Sequence, residues 1–329
     1  MQAERTSTVV VTGAAGFLGS HICERFLKDG HRVLGIDNLR TGLRANVEFL
    51  ASLPTGRERF CFVEADASEP WTSWLDRAPE AWMKDVPYVF HFASPASPPL
   101  YQRWPLETLA VNSVGLWSAL DFATERGARV IFASTSEIYG DPAVSPQPET
   151  YFGNVNGIGP RACYDEAKRF GEALIVSYNQ AKGTRHGFVR IFNTYGPRMN
   201  PDDGRVVVNF LRHAQLGQPL PVQGDGKQTR SFCYVDDLVE GLVRFAKSEE
   251  VGPINLGNDR EFTILELVAA VQSLYPEKPL ALRQLPAAID DPKRRRPDLS
   301  LAKSKLGWSP TIELESGLRR MSEWLATQT

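Results

Sequence analysis

The sequence predicts an α/β protein, a doubly wound parallel sheet with a smaller C-terminal lobe. Three observations carry this expectation. Apolar runs alternate with helical patterns through the first part of the chain, as parallel sheets covered on both faces require. The first run, Val9-Val10-Val11, ends in a glycine-rich turn that opens directly into a helical pattern. Beyond Gly196 the texture changes to frequent Pro and Gly, shorter helical patterns and isolated strands. Residues 1–195 are therefore read as the sheet domain and 196–329 as the lobe, interleaved with the end of the sheet.

Taken in order, Val9–Val11 is a strand and Phe17–Leu27 a helix, punctuated by Gly30. Arg32–Ile36 is the next strand, closed by Asp37. Phe60–Val63, Tyr88–Phe92, Val130–Ala133 and Gly187–Ile191 read as further buried strands, with long helices at Leu106–Glu125 and Arg161–Lys182. The lobe holds helical patterns at Val206–Gln215, Asp236–Ser248, Ile264–Tyr275 and Glu313–Leu325, and strands at Ser231–Val235 and Ile254–Leu256. The segment Asp141–Pro160, rich in Pro, Gly and Asn, is longer than usual connections, and such loops often carry function.

Composition bounds the function classes. With 42% hydrophobic and 23% charged residues, the chain is an ordinary globular protein rather than a disordered or fibrous one. A net charge of −2 offers no general attraction to nucleic acid or anionic membranes, so neither partner is expected. The four cysteines (Cys23, Cys61, Cys163, Cys233) form no CxxC and are too few for a disulfide framework, so reduced thiols are expected. The N-terminus shows no signal-peptide apolar region, and the uncharged stretch Val86–Gln102 is broken by prolines, which together predict a cytoplasmic protein.

Gly13, Gly16 and Gly19 have the spacing GxxGxxG at the strand-to-helix junction. Backbone there must turn tightly and approach a pyrophosphate resting on the helix N-terminus, although structural turns produce similar spacings. Asp37 closes the second strand, where a carboxylate accepts both hydroxyls of an adenosine ribose and repels a 2′-phosphate, favouring NAD over NADP. Asp66, after the third strand, meets the adenine edge or caps a turn. Tyr164 and Lys168, four residues apart on a predicted helix, share one face, and a neighbouring cation is expected to lower the tyrosine pKa toward that of a general base. Ser134-Thr135-Ser136-Glu137 follows an apolar strand, from which a hydroxyl can reach the same alcohol as the tyrosine.

From Val9 to about Trp324 the chain resembles the extended short-chain dehydrogenase/reductase family of nucleotide-sugar enzymes, which has a Rossmann fold. The runs that carry the resemblance include His91–Pro99, Ser134–Pro142, Gly159–Glu166, Arg190–Arg198, Asp203–Val207, Gln228–Arg230, Asp290-Asp291-Pro292 and Arg295–Asp298. Within the family they look most like the UDP-glucuronate decarboxylases. Sugar 4,6-dehydratases resemble this group but carry Thr-Asp-Glu, whose Asp is an acid; Ser136 cannot take that role. Simple 4-epimerases usually have small or neutral residues where Glu137 stands.

The resemblance implies NAD as cofactor, held by Gly13, Gly16, Phe17, Leu18, Gly19, Asp37, Asn38, Asp66, Ala93, Tyr164 and Lys168. It implies a catalytic set of Thr135, Ser136, Glu137, Tyr164, Lys168 and Arg295. It places Tyr101, Arg161, Asn193, Arg205, Gln228, Arg230 and Arg295 around a UDP-sugar. The implied reaction oxidises C4 of UDP-glucuronate, loses CO2 from the resulting β-keto acid and re-reduces C4 to give UDP-xylose. The alternatives are a UDP-glucuronate 4-epimerase and an oxidative decarboxylase that releases the UDP-4-keto-pentose.

Arg295 lies in a basic cluster, Lys293–Arg296, which read from the residues alone is a solvated face; a register shift of one would put Arg294 or Arg296 in its place. Tyr101 and Arg161 also read as a packed aromatic and a helix-start charge. His21, His31 and His186 lack a metal-like spacing, His91 reads as a structural hydrogen-bonding residue, and no metal site is expected. The stretch Ser68–Lys84, with Trp71, Trp74 and Trp82, is longer than in close relatives. Family members pair the two long helices into a homodimer, and the same is expected here.

Overall fold

The computed structural model describes residues 6–287, 292 and 294–328; Asp290, Asp291 and Lys293, singled out above, lie outside the described residues. The chain lays down β1 (Thr8–Thr12), β2 (Arg32–Asp37), β3 (Phe60–Glu64), β4 (Tyr88–His91), β5 (Arg129–Thr135) and β6 (Gly187–Ile191). Shorter strands follow: β7 (Thr194–Tyr195), β8 (Leu220–Gln223), β9 (Thr229–Ser231), β10 (Cys233–Tyr234), β11 (Ile254–Leu256), β12 (Glu261–Thr263), β13 (Leu282–Leu285) and β14 (Arg294–Arg295). The main sheet has seven parallel strands in the order β11-β6-β5-β4-β1-β2-β3. The order reverses beside β1, and a crevice opens there at the carboxyl ends of the strands.

The continuous apolar runs have a direct cause. Val9 and Val11 enter one core, with Ile22 and Phe26 of the helix Phe17–Lys28 and Leu238 and Leu242 of Val235–Lys247. Val10 enters the other, with Leu116, Leu120 and Ile175 of the helices Leu116–Glu125 and Ala162–Lys182. Both faces of β1 are covered, so alternation with polar residues has no use. Trp71 and Trp74, with ring centroids 5.0 Å apart, fill this second core under Phe122. The long Ser68–Lys84 stretch is thus wedged under a helix by short 3₁₀ turns.

Two elements differ from the sequence-based expectation. The helix expected over Leu106–Glu125 contains a π turn at Val111–Gly115, between Pro105–Ala110 and Leu116–Glu125. There the Asn112 side-chain amide donates to the Thr108 carbonyl and the Ser94 hydroxyl, and the Val111 carbonyl accepts from His91 Nε2 at 2.9 Å. Ser231–Val235 is not one strand. It divides because β9 pairs with β12 and β14 whereas β10 pairs with β7, two different sheets. β14 lies parallel to β9 with Arg295 opposite Arg230, which brings the basic cluster back to the mouth of the main sheet.

Candidate active site

Gly13 has φ +74°, and a Cβ on it would come 2.7 Å from the Phe92 carbonyl carbon. A Cβ on Gly19 would sit 2.0 Å from the Gly13 carbonyl oxygen, so the helix can approach the turn only because this position is glycine. Gly16 begins the helix with no side-chain cap, and its first turn carries no acidic residue. The first-turn amides, with the positive end of the helix dipole, face the cavity without a competing side-chain acceptor. Gly16, Phe17, Leu18 and Gly19 line that cavity, which has a volume of about 730 Å³. Asp37, Asn38, Asp66 and Ala93 line a smaller adjoining cavity that shares Gly13 and Gly16 with the first.

Asp37 is buried at the end of β2 and accepts hydrogen bonds from the Ala15 and Leu39 amides at 3.0 and 2.8 Å. Burial pushes its carboxyl above the usual range, against those backbone hydrogen bonds. Asp66 accepts from the Ser68 amide and hydroxyl and from the Asn38 side chain, so it both caps a turn and ties Asn38 to the pocket rim. This cradle of backbone positions that a side chain would fill, an uncapped helix N-terminus and a carboxylate at the end of the second strand fits a dinucleotide.

Thr135 ends β5, and Ser136 and Glu137 open the 3₁₀ turn Ser136–Tyr139 that follows, whose Glu137 amide donates to Thr135 Oγ1. Tyr164 and Lys168 lie one turn apart on the helix Ala162–Lys182, both buried and both lining the main cavity. Lys168 Nζ donates to the Ala133 carbonyl at 2.7 Å and lies 4.6 Å from the centroid of the Phe132 ring. Burial pushes its ammonium down to about 7. The expected lowering of the Tyr164 pKa by Lys168 is not seen. Burial drives the phenol well above its ordinary value, against a hydrogen bond with Thr135. Tyr101 adds to that burial by stacking flat on Tyr164, with ring centroids 5.0 Å apart and planes 5° from parallel.

Glu137 sits between two guanidiniums. Arg295 pairs with its Oε1 at 2.8 Å, and Arg161 forms a short ion pair with Oε2. Burial favours the neutral acid, but Arg295 and Arg161, with Arg230 further away, hold Glu137 below the ordinary carboxylate range. The register of the basic cluster is therefore that of Arg295: Arg294 is exposed and faces Glu261 at 3.4 Å, whereas Arg295 is buried. Asn193 Oδ1 accepts from Arg295 at 3.1 Å. Arg205 chelates Asp203, and its charge acts on Tyr164 and Glu137. Gln228 and Arg230 line the cavity from the β9 side, where the Gln228 side-chain amide donates to the Gln223 carbonyl. The positions read from the sequence as catalytic, Thr135, Ser136, Glu137, Tyr164, Lys168 and Arg295, thus line the same cavity as those expected around a UDP-sugar, Tyr101, Arg161, Asn193, Arg205, Gln228 and Arg230.

Several polar residues at the site escaped the sequence reading. Asp165 is buried beside the Glu137 cluster, its Oδ1 without a hydrogen-bond partner, and burial and the Glu137 charge raise its carboxyl pKa. Its signal was its place next to Tyr164, which does not tell which way a helical side chain points. Asn46 donates to the Ala15 and Arg198 carbonyls and so ties the glycine turn to the segment after β7, a contact between segments far apart in sequence. His91, by contrast, is the structural hydrogen-bonding residue expected from the sequence: it is bonded at both ring nitrogens, to Thr12 and Val111, and burial lowers its pKa to about 4.

Residues 9–257 match the NAD dependent epimerase/dehydratase family. UDP-glucuronic acid decarboxylase 1 of Danio rerio is 45% identical over 97% of this chain and 73% of its own length. UDP-glucuronic acid decarboxylase 2 of Arabidopsis thaliana is 47% identical over 95% of this chain and 67% of its own. Among solved structures, UDP-glucose 4-epimerase of Thermotoga maritima with UDP-glucose superposes with a TM-score of 0.86 at 28% identity, covering 98% of this chain and 99% of that one. The UDP-glucuronic acid 4-epimerase of Bacillus cereus, in complex with UDP-glucuronic acid and NAD, gives 0.81 at 25% identity, covering 98% of this chain and 100% of that one. With that match across most of the chain, and relatives this similar, the chain belongs to the NAD-dependent epimerase/dehydratase family.

Proposed function

We propose that this chain is an NAD-dependent UDP-glucuronate decarboxylase, converting UDP-glucuronate to UDP-xylose through a UDP-4-keto intermediate. The observation that carries the reading is the buried Arg161–Glu137–Arg295 cluster, set in the same cavity as Thr135, Tyr164 and Lys168. A 4-epimerization leaves the C5–C6 bond intact, so it needs no group that manages the loss of CO2 or the proton that C5 gains. The decarboxylase relatives point the same way.

Bound NAD supplies the reversible oxidation and reduction at C4. On this reading Tyr164 takes the C4 hydroxyl proton, and Thr135 shares the hydrogen bond that holds the hydroxyl in line. Lys168, anchored on the Ala133 carbonyl, positions the tyrosine and the nicotinamide ribose. With C4 a ketone, the C5–C6 bond can break because its electrons flow into an enolate. Arg295 orients the carboxylate, while Glu137 competes for the same guanidinium and keeps that anion from being fully neutralised. Ser136 and Glu137 manage the proton that C5 gains after CO2 leaves. Asp37 selects NAD, and Arg205, Gln228 and Arg230 hold the UDP moiety.

A homodimer and a cytoplasmic location complete the proposal. Leu106, Trp117, Phe170 and Val176 are exposed on the paired long helices, an apolar surface that a second copy would cover. All four cysteines are unpaired. Among the described residues no helix is long and apolar enough to cross a membrane. Incubation with UDP-glucuronate and NAD⁺, followed by identification of the sugar, tests the activity: a UDP-pentose supports it, and the C4 epimer of the substrate overturns it.

A further inference from the structure

We infer that Gln147 is a positioning residue for decarboxylation, acting by locking β14 in the register that presents Arg295. This rests on the decarboxylase reading. Gln147 is fully buried in the Asp141–Pro160 loop, far in sequence from the basic cluster. Its backbone N–H donates to the Arg296 carbonyl at 2.8 Å, and its side-chain Oε1 accepts from the Arg296 amide at 2.8 Å. The Asp298 amide donates to the Gln147 carbonyl at 2.9 Å, and Gln147 Nε2 donates to the Val144 carbonyl at 2.7 Å. The same Gln147 carbonyl accepts from the buried side chain of Asn255, a residue of β11, which pairs with β6 in the main sheet. Gln147 therefore grips both backbone groups of the residue after Arg295, and is itself fastened to the sheet.

That grip matters because β14 is two residues long and lies within three consecutive arginines, Arg294, Arg295 and Arg296. Among the described residues its ladder partner is β9. A short strand with side chains of one type is weakly specified, and a slip of one residue turns each side chain to the opposite face. The Arg295 guanidinium would then leave Glu137 Oε1, from which it lies 2.8 Å, and Arg294 or Arg296 would reach toward it from a displaced backbone, out of the present geometry. The bonds from Gln147 to the N–H and the C=O of Arg296 exclude that slip.

The expected signature is a split between the two halves of the reaction. Gln147→Leu keeps the volume and removes the side-chain hydrogen bonds. It should leave NAD⁺ affinity and the rate of enzyme-bound NADH formation from UDP-glucuronate within about twofold, while CO2 release per NADH formed falls roughly 10- to 100-fold, the cost of a misplaced group. Gln147→Glu keeps an acceptor for the Arg296 amide and should restore most of the partition. In an Arg295→Ala background, Gln147→Leu should change the partition no further. A Gln147→Leu enzyme that folds and partitions like wild type, or that lowers NADH formation and CO2 release together, overturns the inference. So does an additive loss in the Arg295→Ala background. Should Gln147→Leu not fold, Gln147→Glu decides: a partition far below wild type with NAD⁺ affinity intact overturns the inference, and a near-wild-type one supports it. Wild-type protein that releases no CO2 at all overturns the decarboxylase reading instead.

Discussion

Replacing Glu137 by Gln removes one negative charge from between two guanidiniums. The side chains of Glu137, Arg161 and Arg295 are only 13%, 9% and 9% exposed, so the arginines gain little compensation from water. Removing one partner of a buried ion pair costs about 3–5 kcal/mol, and Gln retains one acceptor oxygen, which puts the loss near the lower end. A carboxylate arriving on the sugar can recover part of that cost by taking the place of Glu137 against Arg295. If half of about 3 kcal/mol returns on binding, UDP-glucuronate binds roughly tenfold more tightly to the variant. The assay is calorimetric titration in a Tyr164→Phe background, which blocks chemistry, with UDP-glucose as the ligand lacking a C6 charge. Glu137→Gln should gain affinity for UDP-glucuronate alone. No gain, or an equal gain for UDP-glucose, would show that the cluster does not receive the carboxylate.

Tyr164→Phe itself should lower formation of enzyme-bound NADH from UDP-glucuronate by ~100- to 10,000-fold, read as single-turnover absorbance at about 340 nm; a wild-type rate refutes its role as base. Asp37→Ala should weaken NAD⁺ binding and narrow the preference over NADP⁺, measured by titrating both cofactors, whereas equal wild-type affinities refute the selection argument. The Lys168 pKa is lowered from 10.5 to about 7, so between those values the unfolded chain binds a proton that the folded protein does not. Stability then rises with pH through that window, relative to Lys168→Met, by about 1.4 kcal/mol per unit. Urea unfolding of both proteins at about pH 7 and pH 9 checks this, and a constant difference between them refutes it.

The strands of the main sheet were legible because β1 and its neighbours are buried on both faces, which leaves uninterrupted apolar runs. The glycine turn was legible because a Cβ at Gly13 or Gly19 meets backbone, a constraint that survives in the sequence as spacing. Pairings between remote segments were not. The division of Ser231–Val235 depends on which strands arrive beside it, and the π turn within Leu106–Glu125 depends on the bonds made by His91 and Asn112. The choice of Arg295 among three adjacent arginines follows from β14 pairing and the contacts of Gln147. The Tyr164 pKa was misjudged because sequence spacing brings Lys168 near but says nothing of burial, which dominates for both groups.

The central claim is that one cavity oxidises C4, expels CO2 and returns C4 to the alcohol with no net consumption of NAD⁺. Incubating the protein with catalytic NAD⁺ and UDP-glucuronate labelled at C6, and counting labelled CO2 against free NADH, tests it directly. One CO2 is expected for each substrate consumed, with UDP-xylose as product and no accumulation of NADH in solution. Substrate consumed without labelled CO2, or NADH released one-for-one with CO2, contradicts it.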